Sequence, residues 1–317
     1  MRIFLAGASG AVGKRLLPLL VASGHHVTAT TTTNAKLASL KAAGAADAVV
    51  LDGLDRDAVL RAVTAARPEA IVHQMTALAS MRSLKHFDDE FALSNRLRTE
   101  GTRHLIEAAR AAGVQRFVAQ SFTGWPNIRE GGRVKTEDDP LDPSPPAAMR
   151  QTLDGMRQLE AMVTGLTDLA GVIVRYGSFY GPGTSLWTDG DIIKTIRKRR
   201  FPIVGDGAGV WSFIHIDDAA RATAIASERG PTGLFNIVDD DPAEASVWLP
   251  EVARLLGAKP PWHVPIWLGR LFIGEPGVSM MTRIRGSSNE KAKRVLHWSP
   301  SYPSWRDGFR RMLHAAS

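Results

Sequence analysis

The segment Gly7-Ala8-Ser9-Gly10-Ala11-Val12-Gly13 constrains this chain more than any other. It follows a short apolar run at residues 3–6. It opens a stretch at 14–23 whose apolar residues fall at 16, 17, 19, 20 and 21, the inward face of a helix. Strand, glycine turn and helix in that order form the phosphate-binding start of a βαβ unit. The first glycine permits the tight turn, the second lets backbone approach a pyrophosphate, and the third lets the helix pack close to the strand. The free N–H groups at the helix start, around Ala11, Val12 and Gly13, then face the phosphate charge.

The same alternation continues downstream. Short β-prone runs at 26–31, 48–51, 70–73, 116–120 and 172–175 are separated by helical patterns at 36–43, 55–65, 93–112 and 147–163. Strands separated by helices of this length predict a parallel sheet with crossovers on both faces, an α/β fold of the doubly wound Rossmann type. A polar, proline-rich loop is expected at 129–146. Beyond Gly183 the alternation weakens and proline and tryptophan become frequent. The expected division is a dinucleotide-binding domain over 1–183 and a smaller C-terminal substrate lobe from 184–211 and 240–317. Strands near 212–216 and 234–238 are expected to return to the main sheet.

Composition removes several function classes. The 317 residues include no cysteine, which excludes disulfides, thiolate metal sites and a cysteine nucleophile. No His/Asp/Glu spacing resembles a metal site, and no Gly-x-Ser-x-Gly nucleophile elbow occurs. The net charge of +7 is spread along the chain, and its one cluster, 194–200, alternates with isoleucines as a solvated helix face does, so no nucleic-acid partner is expected. No apolar run reaches the ~18 residues of a membrane span, and the first residues are broken too soon by glycine for a signal peptide. A cytoplasmic protein acting on a small molecule is expected.

The glycine spacing, Gly-x-x-Gly-x-x-Gly, resembles that of the extended short-chain dehydrogenase/reductases, which include the NAD-dependent epimerase/dehydratases. Further segments are similar to that family: Asp52-Gly53-Leu54-Asp55, Ile71-Val72-His73-Gln74, Asn95 through Thr99 with Gly101-Thr102, Arg175-Tyr176-Gly177-Ser178-Phe179-Tyr180-Gly181-Pro182-Gly183, Phe213-Ile214-His215-Ile216-Asp217-Asp218, and Leu296-His297-Trp298-Ser299-Pro300. The resemblance implies a nicotinamide cofactor held by Gly7, Ser9, Gly10, Ala11, Val12 and Gly13, with Asp52, Gly53, Gln74, Met75, Ser121, Tyr176 and Ser178 lining its site. It also implies a homodimer through the helices near 95–112 and 148–163, whose surfaces read as rich in alanine and leucine.

A NAD site usually carries an acidic residue about 20 positions after the glycines, bonded to the ribose 2′-hydroxyl. No Asp or Glu occurs between Gly13 and Asp47. The second strand ends instead in Thr31, Thr32 and Thr33, with Lys14, Arg15 and Lys36 near in sequence. Hydroxyls and cations suit a 2′-phosphate, so NADP(H) is favoured over NAD(H). Thr28 and Thr30 are read as simple β-formers.

The family's acid/base is a Tyr four residues before a Lys on one helix, where the lysine lowers the phenol pKa. On the helix ending in Leu159-Glu160, Thr152 occupies the Tyr position and Met156 the Lys position. None of the three tyrosines, Tyr176, Tyr180 and Tyr302, has a Lys at the fourth position after it. Phe122 falls at the catalytic hydroxyl position, flanked by Ser121 and Thr123. The candidate proton donors are therefore Ser121 and Thr123, then Thr152, with Tyr176 and Tyr180 in reserve; Ser121 reads equally well as a cap on the strand end. Trp211 stands where nucleotide-sugar enzymes place an Arg. With Met75, Trp125 and Trp187 it suggests a pocket for an apolar or aromatic substrate, or alternatively the packing of the small lobe. His73 and His215 lie in apolar strands and read as core.

The reading these residues support is an NADP(H)-dependent oxidoreductase acting on a small, fairly apolar or aromatic molecule with a non-standard proton donor. A redox-neutral epimerase, dehydratase or cyclase, or a non-catalytic NADP(H)-binding sensor, are the alternatives.

Overall fold

The computed structural model of the chain describes residues 1–78 and 83–314. Seven strands build the main sheet: β1 (Arg2–Ala6), β2 (His26–Thr31), β3 (Asp47–Val50), β4 (Ala70–His73), β5 (Arg116–Phe122), β6 (Ala170–Tyr176) and β7 (Gly233–Ile237). They stand in the order β7-β6-β5-β4-β1-β2-β3 and every neighbouring pair is parallel. The order reverses between β1 and β4, which opens a crevice at their carboxyl ends, the place where doubly wound folds take their ligands.

Strand alternation feeds two cores. Ile3, Leu5, Val27, Ala29, Val72, Val118, Val174 and Tyr176 face the helices Gly13–Ala22 and Ile216–Arg229. Phe4, Ala6, Ile71, Phe117, Ala119 and Ile173 face Arg56–Ala66, Thr102–Ala111 and Arg150–Thr164. Because both faces are covered, the strands are mostly apolar, with the buried threonines of β2 the main exception. A third apolar cluster gathers residues from 180–213 and 243–312 around Phe213, Trp248, Trp305 and Phe309. Among the described residues no helix is long and apolar enough to cross a membrane.

Three features differ from the sequence expectation. The segment expected at 212–216 does not join the main sheet. Phe213–His215 pairs in parallel with Ser178–Tyr180 as a separate ladder beyond the end of β6. An apolar run of this kind looks the same whichever partner it finds. The helix expected at 93–112 starts earlier, at Phe87, and changes register: Phe87–Arg96 passes through a π turn over Leu97–Gly101 into Thr102–Ala111. The alanines and leucines expected to form a dimer face are mostly turned inward. Leu105, Ala108, Ala109, Leu153 and Leu159 are buried, while Arg103, Arg110, Asp154 and Gln158 face out, so the case for a dimer rests on the resemblance alone.

One buried ion pair joins the helix Arg150–Thr164 to the sheet. Arg175 on β6 donates from Nε to Glu160 Oε1 at 2.8 Å and from Nη2 to Oε2 at 2.6 Å. Both side chains are buried. The fork geometry satisfies both carboxylate oxygens. Arg175→Met is expected to destabilise the fold by about 3–5 kcal/mol, because it strands a buried carboxylate; urea unfolding of the two proteins measures the loss.

Candidate functional site

At the end of β1 the chain turns on Gly7, whose φ of +90° suits glycine. A Cβ on Gly7 would lie 2.7 Å from the Gln74 carbonyl, and one on Gly13 would overlap the Gly7 carbonyl oxygen and sit 2.7 Å from Ala8 Cα. Gly10 differs. Its Cβ would meet a single atom, the Gly7 carbonyl oxygen, tightly at 3.3 Å, and Gly10 itself is exposed, so this side of the turn is a cradle facing outward. The turn is held by Gly10 N–H donating to the Gly7 oxygen at 3.1 Å and by Gly7 N–H donating to Thr30 Oγ1 at 3.0 Å. Thr30, read from sequence as a plain β-former, thus anchors the glycine turn. No acidic residue lies in the first helical turn, so nothing there opposes a bound phosphate. These residues fit a dinucleotide pyrophosphate.

At the end of β2, Thr31 donates from Oγ1 to Ser9 Oγ at 3.1 Å, and Thr32, Thr33 and Lys36 are exposed beside it. Lys14 is exposed as well. Arg15 is engaged elsewhere: its Nε lies 2.7 Å from Asp217 Oδ1 and it also donates to the Pro182 carbonyl. Asp52 caps its own loop by accepting from Leu54 N–H at 2.9 Å. Met75 is buried against Gly53 and Leu97, and therefore packs the Gly53 loop rather than offering an apolar wall to a substrate. Ser178 is half-buried and donates its N–H to the Ser212 carbonyl at 2.8 Å.

Four of the five candidate proton donors are engaged in internal hydrogen bonds, and the fifth, Tyr180, is sealed in the core with its hydroxyl unpartnered among the described residues. Ser121 donates its hydroxyl to Glu160 Oε1 at 2.7 Å, as part of the Arg175 pair. Thr123 bonds Asn127 Oδ1 at 3.1 Å and Ser287 Oγ at 2.6 Å, joining the loop after β5 to Gly286–Ser287. Thr152 donates to Asp88 Oδ1 at 2.6 Å and accepts from Asn95 Nδ2 at 3.1 Å. The reserve tyrosines are core residues. Tyr176 shares its hydroxyl with Thr223 Oγ1 at 2.5 Å and Gln74 at 3.1 Å, and Tyr180 is packed against Phe309, His215 and Gly308. Burial pushes both phenols well above the ordinary tyrosine range, the opposite of what a proton shuttle needs. Met156 is buried in the Lys position.

The tryptophans divide. Trp211 donates its indole N–H to the Met280 carbonyl at 3.0 Å and stacks on Phe213, and Trp187 packs against the same cluster, so these two pack the 180–312 part of the chain. Trp125 instead stands edge-on to Phe87 at 5.1 Å, in a small cluster with Phe91 and Met149.

Beside that cluster lies a residue that sequence reading missed. Arg98, in the π turn, is 3% exposed. Its Cζ sits 5.5 Å from the Phe91 ring centroid and 5.7 Å from that of Phe122. Nη1 donates to Asn95 Oδ1 at 2.9 Å, and Nη2 has no partner among the described residues. Burial lowers its pKa to about 10, leaving it charged. Nearby His73 is also buried. Burial first, with the Arg98 charge adding, lowers its pKa to about 4 and keeps it neutral. The signal for Arg98 was present: Phe87, Phe91, Ser94, Arg98, Thr102 and Leu105 form one inward stripe.

Among the described residues no His/Asp/Glu group could hold a metal ion. The family model for NAD-dependent epimerases/dehydratases matches residues 3–237. A 3-diazoavenalumate denitrifying reductase from a Streptomyces species is 44% identical over 98% of this chain and 100% of its own length. A 4-hydroxy-2-methyl-3-oxo-4-farnesyl-3,4-dihydroquinoline-1-oxide ketoreductase from Stigmatella aurantiaca is 29% identical over 82% of this chain and 74% of its own. In structure the chain is similar to UDP-glucose 4-epimerase from Thermotoga maritima, with a TM-score of 0.77 at 20% identity over 99% of this chain and 98% of that one. With the glycine cradle, the seven-stranded sheet and a family match spanning most of its length, the chain belongs to the NAD-dependent epimerase/dehydratase family.

Proposed function

We propose that this enzyme is an NADPH-dependent reductase that delivers hydride to an electron-poor, flat aromatic substrate without a proton-donating side chain, and that diazoarenes are its substrate class. The observation that carries the reading is the engagement of the three leading candidate hydroxyls, Ser121 to Glu160, Thr152 to Asp88 and Thr123 to Asn127 and Ser287, with both reserve tyrosines shut inside the core. Reduction of a ketone needs a proton on the new alkoxide. An arenediazonium that accepts hydride becomes the arene and releases N2, with no proton required. The diazo compound and the loss of nitrogen named for the relative at 44% identity fit that requirement. An epimerase or dehydratase reading fares worse, because both reactions move protons at the substrate.

When bound, the reduced dinucleotide supplies the hydride. Gly7, Ser9, Gly10, Ala11, Val12 and Gly13 hold its pyrophosphate, and Asp52, Gly53, Gln74 and Ser178 line its site. Thr31, Thr32, Thr33 and Lys36 receive the 2′-phosphate, which the absence of a carboxylate at the end of β2 favours. Phe122 and Trp125 flank the aromatic substrate. Residues 184–211 and 240–314 cover it as a smaller lobe and keep water from the reacting carbon. The cytoplasm supplies NADPH.

Three measurements test this. Incubated with diazotised 4-aminocinnamate and NADPH deuterated at C4, the protein is expected to give cinnamate with deuterium at C4 of the ring. Product without deuterium, or turnover of ketones but not of the diazonium, overturns the reading. Fluorescence titration is expected to find NADPH bound more tightly than NADH, and Gly10→Val should lose both while keeping a cooperative unfolding transition, since Gly10 is exposed and its Cβ would meet one atom only. Thr152→Ala is expected to lower kcat far less than the ~10²–10⁴-fold typical of a lost general acid.

A further inference from the structure

Arg98 is not explained by the fold. A guanidinium placed inside a protein ordinarily faces a carboxylate or a set of carbonyls. Here one amide oxygen, Asn95 Oδ1, accepts a single bond, and no carboxylate among the described residues lies within ion-pair distance. The Phe91 and Phe122 rings offset part of the cost through their π faces. They satisfy none of the N–H groups, and Nη2 is left without a partner among the described residues in a side chain 3% exposed. Methionine or leucine would fill the same stripe of the helix more cheaply. A charge kept under those conditions marks a group that meets its partner in a bound state.

The surroundings say where that partner enters. Phe122, half-buried at the carboxyl end of β5, occupies the family's catalytic hydroxyl position. Thr152, on the tyrosine position, is joined to Arg98 through one residue: Asn95 accepts from Arg98 and donates to Thr152 at 3.1 Å. The cation missing at Met156 therefore has a counterpart on the neighbouring helix, carried there by the π turn Leu97–Gly101. The Phe91 and Phe122 rings give it aromatic surface, and Trp125 packs in the same small cluster as Phe91.

We infer that Arg98 holds an anionic oxygen of the substrate, a carboxylate or a phenolate, through its unpartnered Nη2, so that this enzyme takes aromatic substrates carrying an oxyanion. The aromatic ring rests on the function proposed above; the anion rests on Arg98. In this low-dielectric setting a charge-assisted hydrogen bond is strong, and the planar fork orients the bound ring as a lysine would not. Arg98 transfers no proton and stays a guanidinium throughout.

Binding tests this without turnover. The NADP⁺-loaded protein is titrated calorimetrically with trans-cinnamate and with its neutral counterpart cinnamamide, and in a second pair with 4-nitrophenolate and 4-nitroanisole. The wild type is expected to prefer at least one anion over its neutral partner by ~10-fold or more, the scale of a hydrogen bond to a charged group; which pair shows the preference identifies carboxylate or phenolate. Arg98→Met should abolish that preference, keep NADP⁺ binding, and unfold at the same or a higher temperature, since it removes an uncompensated charge. Arg98→Lys, which keeps the charge, should recover part of the preference. No anion preference in the wild type overturns the inference. So does a preference that survives in Arg98→Met, or an Arg98→Met that melts well below wild type while Arg98→Lys binds the anion no better than its neutral partner. A protein that binds the anion through Arg98 yet reduces no diazoarene overturns the reaction proposed above and leaves the anion site standing.

Discussion

The pair between Glu160 and Arg175 sets the geometry on which the rest of the site depends. Thr152, Met156 and Glu160 follow one another at i, i+4 and i+8 on the buried face of one helix. Fixing Glu160 to β6 therefore fixes the height at which Thr152 and Met156 stand over the end of β5. Ser121 adds its hydroxyl to the same carboxylate, so adjacent strands and the helix crossing them meet at one charged point. A charge pair this deep is a poor source of net stability compared with apolar packing, but it tolerates only one arrangement of its partners.

That arrangement leaves the crevice unusual in its electrostatics. The acid/base pair of the family is absent, and the hydroxyls around it are spent on structural bonds. What remains beside the site is a permanent cation, Arg98, and an imidazole, His73, that burial and the nearby guanidinium hold neutral. A neutral His73 accepts the Met75 N–H through Nδ1 at 3.3 Å and so shapes the chain leaving β4 without adding a second charge.

Much of this architecture was legible in the residues. The strand–glycine–helix opening is local, and local physics decides it: the steric demands at Gly7 and Gly13 are visible as glycine itself. The strands of the main sheet were readable because both their faces are covered. What was not legible depended on partners distant in sequence. The ladder of Phe213–His215 on Ser178–Tyr180 carries the same apolar pattern as a strand of the main sheet. Tyr176 and Tyr180 looked available because a sequence does not display which hydroxyls end inside a core. Trp125 and Trp211 are alike on paper, yet one stands beside Phe87 and Phe91 and the other packs on Phe213 and Trp248. Arg98 was passed over for a different reason: an arginine on a helix is assigned to solvent by default, although its place between Phe91, Ser94 and Leu105 put it on the inward stripe.

The π turn over Leu97–Gly101 has a consequence for how this helix can change over time. An α-helix advances by about 100° per residue, so one added residue swings everything before it around the axis relative to everything after it. Here the half after the turn is locked to the sheet by Leu105, Ala108 and Ala109. The half before it, Phe87–Arg96, answers to a different neighbour, the start of the helix Arg150–Thr164 through Asp88. The turn works as a phase shifter between two independently specified surfaces. Substitutions on the leading half can reshape what the crevice accepts while the trailing half keeps its registration with the sheet, which gives one helix two separable histories.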